Sequence, residues 1–181
     1  MADSNITKKA LASALKELLQ EKPLAHISVS DICERCDMNR KSFYYHFRDK
    51  YDLVNWIFDN EFIGVMRTAA DYTPTERIAG MEKLVRYFYD NRRFYKKVLV
   101  VDGQNSFSEH FHELAFSTIS VWLKELFPDD DISDFQVNFF SDAIVSSLKR
   151  WITEKDCISP DEFIKQLDYC LKYIAVRYNE L

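Results

Sequence analysis

At 181 residues, with 47% hydrophobic and 15% aromatic side chains, the chain is long enough for one sizeable domain or for a small head fused to a larger body. Three glycines and four prolines are too few for a fold built on tight hairpins, and no segment approaches the ~18 uncharged apolar residues that a membrane span needs. The net charge of −5 is unevenly spread: residues 1–50 carry 9 Lys+Arg against 7 Asp+Glu, leaving 15 basic and 22 acidic residues in 51–181, so a mildly basic start precedes an acidic remainder.

The opening MADSNITKK holds no apolar stretch of signal-peptide type, which sets the expectation of a cytoplasmic protein with no membrane partner. Ile6, Ala10, Leu11, Ala14, Leu15, Leu18 and Leu19 then fall on one helical stripe. That stripe stops at Lys22-Pro23, because a residue before proline is pushed out of the α region. Ser28 is placed to cap a short second helix with Asp31 in its first turn, and this helix ends near Cys36-Asp37. Asn39 caps a third through Phe43, Tyr44 and Phe47, and a longer fourth runs from Lys50 through Leu53, Val54, Ile57, Phe58, Phe62 and Met66.

Asp71 to Thr75, containing Pro74, marks the boundary between a head and a body. Residues 1–50 are read as the head, 51–70 as a linking helix and 71–181 as the body. In the body, Ile78, Met81, Leu84, Val85 and Phe88 predict a fifth helix, and 92–101 a short sixth. After a turn at 102–106, Phe107, Phe111, Leu114, Ile119, Trp122 and Leu126 predict a seventh that stops at Pro128. Ser133 caps an eighth over 135–152, and Ser159-Pro160-Asp161-Glu162 opens a ninth through Phe163, Leu167, Leu171, Ile174 and Tyr178. The predicted fold is all-α with about nine helices: a three-helix head and a helical-bundle body.

Residues 28–50, SVSDICERCDMNRKSFYYHFRDK, carry the functional signal. Two short helices meet across Cys36-Asp37-Met38, with Ile32, Cys33, Cys36, Met38 and Phe43 to pack them, as a helix-turn-helix requires. The exposed face of the second helix then presents Arg40, Lys41, Ser42, Tyr44, Tyr45 and His46, with Lys50 just beyond. Arginine reads guanine bidentately, lysine and hydroxyl groups reach bases or phosphates, and tyrosine rings pack on sugars or thymine methyls.

The string from Ile27 to Leu53, with its Ser-Phe-Tyr-Tyr-His-Phe-x-x-Lys-x-x-Leu core from Ser42 onward, resembles the TetR family of transcriptional regulators. It departs from the family pattern at Asp37, where most members place glycine; aspartate tolerates the left-handed conformation better than most residues, so the turn is expected to survive. The wider stretch that includes ITKKALASALKELL and LVNWIFDNEF is similar to the branch of regulators of dihydroxyacetone kinase operons. The resemblance implies base contacts from Arg40, Lys41 and Tyr44, and phosphate contacts from Ser28 or Ser30, Ser42, Tyr45, His46 and Lys50. It implies a palindromic double-stranded DNA operator, a homodimer, and a body controlled by an unknown small-molecule effector or a kinase-like protein partner.

Apolar residues on the eighth helix, Phe139, Phe140, Ala143, Ile144, Ser147, Leu148 and Trp151, form a stripe wider than one neighbour needs. With Leu167, Leu171 and Ile174 of the ninth they are the expected dimer face. Tyr87, Phe88, Tyr95, Trp122 and Trp151 are candidates for plain core or for an apolar effector cavity between the fifth, seventh and eighth helices. Cys33-x-x-Cys36 reads as packing, and His110-x-His112 as surface, since i and i+2 do not share a helix face; no metal or cofactor is expected. Arg92, Arg93, Lys96 and Lys97 form a basic cluster in an acidic body, read as a solvated face or as a contact with an anionic effector or partner. No Ser-His-Asp arrangement, phosphate-cradling glycine loop or paired-histidine helix points to an enzyme.

Overall fold

The computed structural model describes residues 2–63, 74–101 and 106–178. Among these are nine α-helices and no strand: α1 (Ala2–Glu21), α2 (Val29–Arg35), α3 (Arg40–His46), α4 (Lys50–Phe58), α5 (Pro74–Asp90), α6 (Arg92–Val98), α7 (Phe107–Leu126), α8 (Asp134–Thr153) and α9 (Pro160–Tyr178). The all-α fold read from the sequence, with its helical head and body, is the one observed. Met66 of the expected fourth helix, most of the 71–75 boundary and residues 102–105 of the expected turn lie outside the described residues.

Local chemistry sets the helix ends. Ser28 Oγ accepts from the Asp31 amide while Asp31 returns a carboxylate to the Ser28 amide, so two orphan donors of α2 are satisfied reciprocally. At the other end of α2 the Met38 amide reaches Cys33 O (2.8 Å) and the Asp37 amide reaches Glu34 O (3.4 Å). Asp37 between them sits at φ 52°, the only non-glycine positive φ among the described residues. This is a Schellman ending with aspartate in the left-handed position that glycine usually fills. Asn39 caps α3 by accepting from the Ser42 amide, and Ser106 caps α7 by accepting from Glu109. The end of α4 widens into a π-helical turn, Asp59–Ile63, and a 3-10 turn, Leu24–His26, joins α1 to α2.

α1 packs on α2, α3 and α4 and also touches α6, while α7 lies against α8. The hydrophobic core does not pause between head and body. One cluster runs from Leu11, Leu15, Ile32, Phe43 and Leu53 through Phe58 to Phe88, Tyr95, Phe107, Leu148 and Ile152. Phe58 is the joint: its ring packs against Phe62 within its own segment and against Tyr87, Phe88, Tyr95, Phe107 and Phe111 of the body. A second, smaller cluster of Ile119, Leu123 and Val137 holds α7 to α8.

A polar seam accompanies this apolar one. Lys16 of α1 donates to Glu61 in the π turn (2.5 Å), and Tyr87 Oη of α5 donates to the other Glu61 oxygen (3.1 Å). With its one proton committed there, Tyr87 accepts from Tyr95 Oη of α6 at 2.7 Å. Burial raises the pKa of both phenols, which keeps them neutral donors at physiological pH. Lys97 of α6 donates to Leu19 O near the end of α1, and His110 Nε2 of α7 lies 2.8 Å from Asp59 Oδ1.

Candidate nucleic-acid interface

Phe43 is fully buried at the centre of the head, which fixes the rotation of α3 about its axis. With that one side chain inward, Arg40, Lys41, Tyr44 and Tyr45 are all turned outward. Tyr45 is 83% exposed and Tyr44 52%, an unusual display of large rings for a soluble surface. Tyr44 keeps an edge contact with Phe43 (5.6 Å), and Tyr45 one with His46 (4.8 Å), so both rings are braced at their bases. Arg40 and Lys41 have no carboxylate partner among the described residues, in contrast to Arg35 of α2, which is held by Glu17 and Glu21 of α1. The outward half of α3 is therefore a cationic, hydroxyl-tipped ridge with free donors.

Ser42 and His46 are half-buried at its flank, and the Ser42 hydroxyl lies 3.3 Å from Asn39 Oδ1. Ser28 is exposed at the N-terminus of α2 and Ser30, the second residue of that helix, is half-buried. Ser28, Asn39 and Asp49 thus bring the starts of three helices to the head's surface, and of these only the start of α3 has no carboxylate at its cap or in its first turn, which leaves its dipole open to an anion. Asp49 was not singled out from the sequence, although Asp49-x-x-Asp52 carries a capping signal. Its carboxylate accepts from the Tyr51 and Asp52 amides, and Asp52 accepts from Arg48.

Lys50, for which the resemblance implies a phosphate contact, is turned inward. Its ammonium donates to Leu24 O (2.7 Å), Ala25 O (3.3 Å) and Ile27 O (2.8 Å), closing the carbonyls of the loop between α1 and α2. An ammonium has three N–H donors, and all three have acceptors inside the chain. Desolvation lowers the Lys50 pKa, as expected of a cation drawn into the fold.

The expected dimer face is divided. Phe139, Ala143 and Ser147 are exposed on α8, Phe140 and Ile144 are half-buried, and Leu167 is half-buried on α9. Leu148 and Trp151 point the other way and belong to the chain's own core, where Trp151 stacks on Phe163 at 4.3 Å. The side chains of Leu171 and Ile174 lie outside what is described. Phe135, one turn before Phe139, is 78% exposed and was missed because it sits at the very start of the stripe. Of the aromatics considered for an effector cavity, Phe88 and Tyr95 are fully buried against other rings, and Trp122 is half-buried.

A braced helix bearing free cations, set against a second helix through a tight turn, defines a helix-turn-helix DNA-binding protein. Residues 11–57 match the model for "Bacterial regulatory proteins, tetR family", and 76–173 match a "Transcriptional regulator C-terminal region" model. The chain belongs to the TetR family of transcriptional regulators. Over 164 residues it is 32% identical to the HTH-type dhaKLM operon transcriptional activator DhaS of Lactococcus lactis, covering 91% of this chain and 82% of that one. A solved dihydroxyacetone kinase operon activator DhaS superposes with a TM-score of 0.65 at 26% identity, covering 94% and 97% of the two chains. A TetR regulator from Streptococcus agalactiae 2603V reaches 0.68 at 21% identity over 91% and 93%, a likeness of fold. As a member of this family the protein regulates transcription by binding DNA. Among the described residues no helix is long and apolar enough to cross a membrane.

Proposed function

We propose that the chain works as a homodimer on a palindromic operator, at an operon of the dihydroxyacetone kinase type, and as an activator. The outward display of Arg40, Lys41, Tyr44 and Tyr45 around a buried Phe43 carries this reading. Those four reach base edges and adjacent phosphates in the major groove, while Ser28, Ser30, Ser42 and His46 hold the backbone on either side. Lys50 supports the interface indirectly, by closing the loop that leads into α2.

The exposed phenylalanines of α8 support the two-fold partner, because a dimer covers apolar surface that a monomer leaves in water. The likeness to the activator DhaS supports the operon type and the sign of control. Control enters through the body, by a ligand among α5, α7 and α8 or by a partner protein, and acts only if the effector distinguishes DNA-competent from incompetent states. In the competent state the two α3 helices sit about 34–36 Å apart, one helical turn of DNA, or a multiple of it.

Sedimentation at micromolar concentration, with and without DNA from the promoter of the neighbouring kinase operon, tests the proposal. The expected species is twice the 21.5 kDa chain, binding that DNA in preference to a scrambled duplex. A monomer that binds the palindrome tightly overturns the dimer, and equal affinity for both duplexes overturns sequence-specific reading.

A further inference from the structure

A solvent-open groove of about 1250 Å³ runs along the seam between head and body, walled by α1 on one side and by α6 with the end of α8 on the other. Its lining includes Lys16, Arg92, Arg93, Lys96 and Lys97, against a single acid, Asp90. This is a local excess of positive charge in a body whose net charge is negative. The acids of α1 do not offset it, because Glu17 and Glu21 are turned to Arg35.

The partners of these cations matter more than their number. Among the described residues, only Lys16 of these cations meets a carboxylate, that of Glu61. Arg92 donates to the carbonyls of Ile152, Glu154 and Lys155, and Lys97 donates to Leu19 O. Carbonyls hold these two side chains in place but leave their full charges uncompensated. Arg93 and Lys96, three residues apart on the exposed face of α6, have no carboxylate partner among the described residues. Beside them Tyr89 and Val100 present apolar surface, and Lys16 lies over the Phe94 ring at 5.6 Å. Fixed cations flanking free ones, next to an aromatic wall, suit a ligand with a phosphate at one end and an apolar portion at the other.

We propose that this groove is a binding site for a phosphorylated small molecule, held at its phosphate by Arg93 and Lys96 and packed at its apolar end on Tyr89 and Val100. The site lies outside the body interior, where an effector cavity is expected, and is independent of the operator-binding face.

Calorimetric titration of the full-length protein with inorganic phosphate, pyrophosphate and phenyl phosphate tests it. Saturable binding is expected for all three, with phenyl phosphate tighter than inorganic phosphate because only it reaches the aromatic wall. The double variant R93E/K96E should weaken binding by about tenfold or more, the loss of two charge-assisted contacts, with an unchanged melting curve since both side chains are exposed. The charge-keeping R93K/K96R should retain most of the affinity. Absence of saturable binding by any of the three, or equal binding by R93E/K96E, overturns the proposal. So does a fall in the salt dependence of DNA binding in R93E/K96E, which assigns the cations to DNA phosphates instead.

Discussion

In the head, the large rings left in water are Tyr44 and Tyr45, each with a hydroxyl at its tip. In the body they are of both kinds: Phe135 and Phe139 on α8 and Phe127 after α7 have none, while Tyr89 on α5 and Tyr169 on α9 carry one. A tyrosine ridge is suited to a wet, polar partner that offers acceptors, because the ring packs while the hydroxyl bonds. Exposed phenylalanine is suited only to another apolar surface. On the reading proposed above, the tyrosine ridge of α3 meets DNA and the exposed phenylalanines of α8 meet a second protein surface. Between the rings of α3 and those of α8 the difference is one oxygen atom each.

Phe43 holds α3 in place, and removing that anchor should have the largest effect. Phe43→Ala should cost about 3–5 kcal/mol in urea unfolding and abolish operator binding, since the ridge then has no fixed orientation. A variant that loses stability but reads the operator as before would show that the ridge does not depend on its anchor. On the body side, Phe139→Glu should leave the helical spectrum intact and weaken dimerisation by about a hundredfold, the scale of a hot-spot residue. Sedimentation equilibrium reads it directly, and an unchanged dimer would place the interface elsewhere.

Arg40 and Lys50 sharpen the comparison within the head. Arg40→Ala should cost about 1–3 kcal/mol of operator affinity and relax preference at one base pair per half-site, with folding unaffected. Lys50→Ala should instead lower head stability by about 1.5–3 kcal/mol, because three carbonyls lose a charged donor, and should leave the salt dependence of DNA binding unchanged. A salt titration showing the slope reduced in Lys50→Ala would restore the phosphate role.

Asp31 gives a smaller, pH-dependent effect. The Ser28 amide and hydroxyl and the Lys22 ammonium hold its carboxyl at about 2, below the ordinary 3.8. Its contribution is complete above the ordinary value and is lost as pH falls from there through about 2. Asp31→Asn should therefore flatten the acid limb of the stability curve without altering stability differences between pH 6 and pH 8. Smallest of all, Asp37→Gly should stabilise by about 1 kcal/mol or less by removing the cost of a side chain at positive φ. A loss of stability on that change would mean that the aspartate makes a compensating contact.

Helix positions, caps and the outward face of α3 were legible in the sequence because each rests on local chemistry. Ser28, Asn39, Ser133 and Ser159 announce helix starts within a few residues, and the apolar period around Phe43 sets which side chains face out. Two kinds of feature were not legible. Lys50 looks like any surface lysine until the loop at Leu24–Ile27 folds beside it, since its acceptors lie more than twenty residues away. Leu148 and Trp151 share a stripe with Phe139 in sequence, yet α8 is apolar on more than one side, and periodicity alone does not say which side meets a partner. The polar seam of Lys16, Glu61, Tyr87 and Tyr95 was hidden for the same reason: its members come from four different segments of the chain.

The ring of Phe58 bears on how such regulators are recombined. It lies well before the sequence boundary near residue 71, yet the rings it packs against beyond its own segment come from α5, α6 and α7. A chimaera that joins this reading head to a foreign sensing body at residue 71 carries Phe58 into a socket built for another side chain. Such a graft should express as a poorly cooperative folder even though both parent modules are sound. Transplanting Tyr87, Phe88, Tyr95, Phe107 and Phe111 along with the head, or matching residue 58 to the recipient's own socket, should restore a single sharp melting transition. The unit of exchange in this architecture is thus a head together with the surface that receives its fourth helix.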